Sequence, residues 1–167
     1  VIGQQVSVAG ARTVAGTLTQ RFGVPLDRPV GGITHLFPAP SALRQLTPGQ
    51  APMPASRART IAAIAAALDD GDVALDSGAD PRAAREALLA LPGVGPWTAD
   101  YIAMRALRDP DALLSTDLGV RRALEALGHD GDPKAIERRA EAWRPYRAYA
   151  NLHLWASETA PPALAAA

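Results

Sequence analysis

Apolar and small residues recur at three- and four-residue intervals along most of the chain, and no stretch shows the period-two alternation of a half-buried strand. VIGQQVSVAGARTVAGTLTQRFG carries Val6, Val14 and Leu18 and reads as a helix ending at Gly23. Residues 23–40 hold Gly23, Pro25, Pro29, Gly31, Gly32, Pro38 and Pro40 and read as a loop. SALRQLT opens on a Ser cap signal and predicts a short helix, and GQAPMP is another loop. ASRARTIAAIAAALDDG is a helix by alanine and leucine propensity, stopped at Gly71. PRAAREALLALPG starts with Pro in a first-turn position and ends at Gly93. PWTADYIAMRALRD continues as a helix, and TDLGVRRALEALG has Thr and Asp at its start and Gly128 past its end. DPKAIERRAEAWR and PYRAYANLHLWASE complete the series, and the tail PPALAAA, 161–167, is expected to be disordered. The pattern predicts an all-α fold of about eight helices.

Composition narrows the classes of function. The 167 residues suit one domain or two tightly packed lobes, and 48% of them are apolar. The longest apolar candidate for a membrane span, IAAIAAAL at 61–68, falls far short of the roughly 20 residues required. The sequence has no cysteine, which excludes disulfides, a thiolate nucleophile, a Cys zinc site and an iron–sulfur cluster. No signal peptide is visible, so a cytoplasmic location is expected, although Val1-Ile2-Gly3 reads as though cut from inside a longer sequence. Net charge is zero, which does not favour a nucleic-acid binder but leaves room for a local basic patch. The cations are unusual in kind: of 17, all but Lys134 are arginines. His35, His129 and His153 lack metal-ligand spacing, and GHDGDPK is too short for a calcium loop and lacks its terminal Glu.

LPGVG, 91–95, joins two predicted helices through two glycines and forms a helix–hairpin–helix. Exposed amides at such a turn, with the positive end of the following helix, can hold an anion without a lysine. The spacing does not fit a Walker loop, and no strand precedes it as a dinucleotide fingerprint requires. The alternative is a corner whose glycines only permit close packing. On the second helix Trp97, Tyr101 and Met104 fall on one side, with Ala99, Ile102 and Ala106 roughly opposite and suited to the core. The aromatic side is either buried apolar surface or a stacking surface for a planar ligand. Asp117 lies 20 residues beyond Trp97, at a helix start where an Asp usually serves as a cap. Arg121 and Arg122 follow it, as surface charges or phosphate contacts.

LPGVGPWTADYIAMRAL, followed by the spaced Asp of STDLGVRRAL, resembles the helix-hairpin-helix-GPD superfamily of DNA glycosylases, and within it the alkylation-repair branch of 3-methyladenine DNA glycosylase II type. IGQQVSV, PMPASRARTIAAIA and WRPYRAYANLHLWASE are similar to further segments of that branch. The resemblance covers residues 1–158 and implies a glycosylase domain over 1–160 with its hairpin at 82–108. It implies a two-lobed all-α fold, with DNA and an extruded base in the cleft between lobes. By the same resemblance Asp117 is the catalytic carboxylate, and Trp97, Tyr101 and Trp155 line the base pocket. Gln5, Gly93, Gly95, Trp97 and Arg121 are the expected DNA contacts, with Gln5 at the position the resemblance gives to a wedge. Carbonyls of Leu89, Leu91 and Val94 would hold a structural Na+ or K+, and no other cofactor is required. The implied partner is double-stranded DNA containing damaged bases, bound by a monomer in the cytoplasm at the nucleoid. Relatives of this branch begin with a further domain of about a hundred residues that is absent here. Leu118, Ala156 and Pro96 also depart from the pattern, the first two replacing aromatics and the third a basic residue.

Bifunctional members of the superfamily carry a lysine nucleophile on the second hairpin helix. Trp97 stands there, so the expected enzyme is a monofunctional glycosylase. A cationic alkylated purine is already a good leaving group, which allows one carboxylate where most glycosidases use two. The competing readings are a non-catalytic DNA-binding module and an inactive fragment of a larger repair protein.

Overall fold

A computed structural model describes residues 1–3 and 6–159, with the side chains of 158 and 159 outside the description. The expected disordered tail therefore lies outside the described residues, as does Gln5. The elements run α1 (Val8–Phe22), β1 (Pro25–Val30), β2 (Ile33–His35), α2 (Pro40–Leu43), α3 (Ala55–Asp70), α4 (Pro81–Leu89), α5 (Pro96–Ala106), α6 (Leu118–Ala126), α7 (Pro133–Ala140), a 3-10 turn (Glu141–Trp143) and α8 (Arg147–Thr159). Among the described residues no helix is long and apolar enough to cross a membrane.

Two sequence expectations are corrected here. Residues 25–35 form a short antiparallel hairpin rather than loop, pairing Pro25 with His35 and Val30 with Ile33. Gly31 and Gly32 both take positive φ, at 56° and 86°, and supply the tight reversal. Two prolines within β1 obscured the strand, because proline removes ladder donors and is tolerated only where the pairing is partial. α1 begins at Val8 rather than at the first residue: Ser7 caps it and accepts the Gly10 N–H at 3.1 Å. Val6 precedes that cap and is exposed.

The chain forms two compact units, one of Val1–Leu75 with Glu86–Val94, the other of Asp76–Arg85 with Gly95 onward. In the first, Val14 and Leu18 sit one turn apart on α1 and are buried with Leu43, Leu46, Ala58 and Ile61. α3 ends as the sequence predicts, at Gly71 in the left-handed conformation with φ 82°. In the second unit Leu114, Val120, Leu124, Ile136 and Leu154 form the core. Asn151, fully buried on α8, donates to the Ala112 carbonyl and accepts the Leu114 N–H, which fixes the segment leading to Asp117.

Candidate functional site

Asp117 is where three helices of the second unit meet. It is the N-cap of α6, with φ −67° and ψ 131°, and its Oδ1 accepts the Val120 N–H at 3.0 Å. The same oxygen accepts the indole N–H of Trp155, from α8, at 2.8 Å. Oδ2 accepts the indole N–H of Trp97, from the first turn of α5, also at 2.8 Å. The half-buried carboxylate thus receives three N–H bonds and is fixed in one orientation. Bonds to a charged acceptor contribute about 1.5–3 kcal/mol each, so the arrangement is costly to disturb.

The aromatic rings form a group around this carboxylate. Trp97 and Tyr101 stack with centroids 5.1 Å apart and planes 21° from parallel, and Trp155 leans on Tyr101 at 6.3 Å and 44°. Arg105 stands one turn beyond Tyr101, with its guanidinium carbon 5.6 Å from the Tyr101 centroid and 5.9 Å from that of Trp155. Spacing by four places Trp97, Tyr101 and Arg105 in one column along α5. Met104 shares that side, as the periodicity predicts, and belongs to the core cluster against which Trp97 and Tyr101 pack. It is buried in the core, while Ala106 is exposed. Ala99, read from the periodicity as core-facing, is buried with Ala103, and small side chains there let α5 approach its neighbours closely.

The glycines of the hairpin serve different ends. Gly93 has φ 80°, and a Cβ there would collide with Thr60 Oγ1. Gly95 is extended and caps α5, and a Cβ there would meet nothing within 4 Å. Its carbonyl accepts the N–H groups of Thr98 and Ala99, each at 3.0 Å. Pro96 at the first helical position has no N–H to leave unpaired, and the next amide, of Trp97, is among those a helix start leaves without intrahelical partners. Arg85 on α4 pairs with Asp100 on α5, which ties the entry of the hairpin to its second helix.

These positions have relatives of known type. No family model matches the chain. Over 155 residues it is 47% identical to a Mycobacterium tuberculosis protein named as a probable bifunctional transcriptional activator and DNA repair enzyme, covering 93% of this chain and 31% of that one. It is 33% identical to DNA-3-methyladenine glycosylase 2 of Escherichia coli, covering 95% of this chain and 55% of the relative. The crystal structure of a Bacillus halodurans DNA-3-methyladenine glycosidase matches 95% of this chain and 72% of that one, with TM-score 0.72 and 27% identity. The chain is thus similar in sequence to 3-methyladenine DNA glycosylases over about half of their length or less, and similar in fold to a solved DNA-3-methyladenine glycosidase. It spans about a third to a half of the curated relatives' length.

The structure brings together Asp117, Trp97, Tyr101 and Trp155, all read from the sequence as site residues. Arg121 is engaged elsewhere: its Nε donates to the Gly131 carbonyl at 2.9 Å, holding the loop after α6. Leu89, Leu91 and Val94 lie in the other compact unit, where the Leu91 carbonyl accepts the Val94 N–H at 3.2 Å. Among the described residues no group of three or more His, Cys, Asp or Glu could hold a metal ion. A cavity of about 880 Å³ opens elsewhere in the second unit, lined by residues including Arg85, Asp111, Arg144 and Arg147, and it contains none of the Asp117 group. In its lining, burial pushes the Asp111 carboxyl up, but the Arg147 hydrogen bond and the Arg147 and Arg144 charges outweigh this and hold it below the ordinary carboxylate range.

Sequence reasoning missed the indole bonds to Asp117 and the placing of Arg105. The spacing between Trp97 and Asp117 carried no sign of an N–H···O contact, because it depends on how α5 and α6 pack. The interval of four from Tyr101 to Arg105 was a readable signal for the second.

Proposed function

We propose that this chain is the glycosylase domain of a monofunctional base-excision enzyme, which extrudes alkylated purines from duplex DNA and hydrolyses their N-glycosidic bond. The observation that carries the reading is the Asp117 carboxylate, fixed by two indole N–H bonds beside a group of aromatic rings. A duplex hides the scissile bond, so the nucleotide must leave the stack, which costs a few kcal/mol and least for a damaged base. Amides at the start of α5, around Gly95 and Trp97, supply a backbone anchor, and Gly93 shapes the turn that presents them. Electron-rich ring faces favour a cationic alkylated base.

In the reaction the C1′–N bond breaks and its electron pair goes to the base, which leaves neutral. The sugar gains positive charge, which the Asp117 carboxylate stabilises. Water then adds to C1′ and loses a proton, leaving an abasic site. No lysine stands on α5 to form a Schiff base, which supports a monofunctional reaction. Carbonyls of Leu89, Leu91 and Val94 would hold a monovalent cation at the hairpin as a structural group; the Leu91 oxygen keeps a second lone pair beside its bond to Val94. Duplex DNA is the partner, and a monomer acting at the nucleoid suffices.

The test is base release from a methylated duplex. Wild-type chain should release 7-methylguanine or 3-methyladenine, whereas Asp117→Asn should lose release by at least about a hundredfold, the size seen when a transition-state charge contact is removed, and still bind an abasic duplex. A wild-type chain that binds duplex but releases no base would favour a bare DNA-binding module.

A further inference from the structure

The Tyr101 ring already has two close neighbours along α5. Trp97, four residues before it, stacks at 5.1 Å, too close for a base to enter between them. Arg105, four residues after it, lies over the ring at 5.6 Å and over Trp155 at 5.9 Å. Of these neighbours Trp97 and Trp155 are pinned by their bonds to Asp117. Arg105 is exposed, and among the described residues no carboxylate pairs with it. It is the one member of the group able to leave at little cost. Its guanidinium is a planar, delocalised cation, permanently charged and suited to stacking on ring faces. An alkylated purine offers the same chemistry: a planar cation seeking an electron-rich face.

We propose that Arg105 is a specificity-determining residue, a resident competitor that occupies the Tyr101 and Trp155 faces and that a cationic base must displace. This inference rests on the reading of the aromatic group as the base site. Two cations cannot share those faces without repulsion, so only a base that stacks better than the guanidinium, and is already positioned by DNA, takes the place. Arg105 thereby discriminates against bases that reach the site without strong stacking. An undamaged neutral purine gains less from the rings than a cationic one and displaces the guanidinium less readily.

The experiment measures single-turnover release of 7-methylguanine at saturating enzyme, so that overall DNA affinity drops out, beside equilibrium binding of an abasic duplex, which presents no base. Arg105→Ala should release 7-methylguanine about threefold to tenfold faster, the rate equivalent of losing one cation–π contact. It should also raise the slow release of undamaged guanine by a larger factor, narrowing the selectivity. Arg105→Lys, which keeps the charge but not the plane, should fall between the two. Thermal melting of both variants checks that the fold is intact, as expected for an exposed side chain. If wild type releases no base, the site reading fails and this assignment with it. If wild type is active but Arg105→Ala is equally fast or slower, Arg105 alone is overturned as a competitor. A matching loss of abasic-duplex affinity would make it a phosphate contact instead.

Discussion

At the scale of the residue, Asp117 is a cap in the structure, and the catalytic role we propose for it would use the same carboxylate. One oxygen caps α6 and takes the Trp155 indole, and the other takes the Trp97 indole. The position therefore requires an acceptor on both sides. Asparagine offers only one: with its oxygen kept at the cap, its amide nitrogen meets the Trp97 N–H, donor against donor. Trp97→Phe and Trp155→Phe keep the ring and remove one bond each. Each should cost about 1–3 kcal/mol in chemical denaturation, the penalty for leaving a charged acceptor short of a donor. Each should slow base release while leaving abasic-duplex binding nearly intact. In an Asp117→Asn background the sign should reverse, since Trp97→Phe removes the clashing donor. An equal cost of Trp97→Phe in both backgrounds would mean that the ring packing, and not the indole bond, is what matters. The types of residue at this site were legible in the sequence. Their mutual bonds were not, because an N–H···O contact spanning 20 or 38 positions exists only once three helices have packed.

At the scale of the element, helix existence and most helix ends were readable because caps and breakers act locally. Asp117 and Asp132 accept first-turn amides, Pro81, Pro96 and Pro133 open helices, and Gly71 closes one, whereas the Ser7 cap of α1 was not read. The β-hairpin was not readable, since its strands are short, mostly exposed and interrupted by proline. The two hairpin glycines separate packing from function in a way that spacing alone could not. Gly93→Ala must place a Cβ at positive φ and against Thr60, and should lose about 2–4 kcal/mol of stability, combining left-handed strain with overpacking. Gly95→Ala meets open space in an extended conformation and should fold within about 0.5 kcal/mol of wild type, as surface changes without strain do. If the start of α5 anchors a DNA phosphate, the added methyl would still crowd the backbone's approach. Melting and duplex-binding measurements on the pair should then diverge: Gly93→Ala mainly unstable, Gly95→Ala stable but weaker on DNA. Undiminished DNA affinity in Gly95→Ala would remove this turn as the anchor.

At the scale of the whole molecule, neutrality and arginine content bear on what chemistry is available. With net charge zero, the attraction to DNA that long-range charge gives a basic protein is missing, so binding must draw on local contacts. Arginine is well suited to phosphate contacts but stays protonated, so none of the arginines can serve as an amine nucleophile. That leaves Lys134, exposed on the first turn of α7, as the one side-chain amine in the chain. A lyase step needs an uncharged amine at the sugar carbon, within bonding distance once the base has left. At the corresponding place on α5 stands Trp97, whose indole nitrogen has no basic lone pair and is committed to Asp117. The products of the proposed reaction should therefore be a free base and an intact abasic strand. Borohydride added during turnover should trap no covalent enzyme–DNA adduct, and the strand should break only on later alkaline treatment. An adduct that persists in Lys134→Ala would point to the terminal amine, and one that vanishes in that variant would bring Lys134 into the site; either would remove the monofunctional assignment.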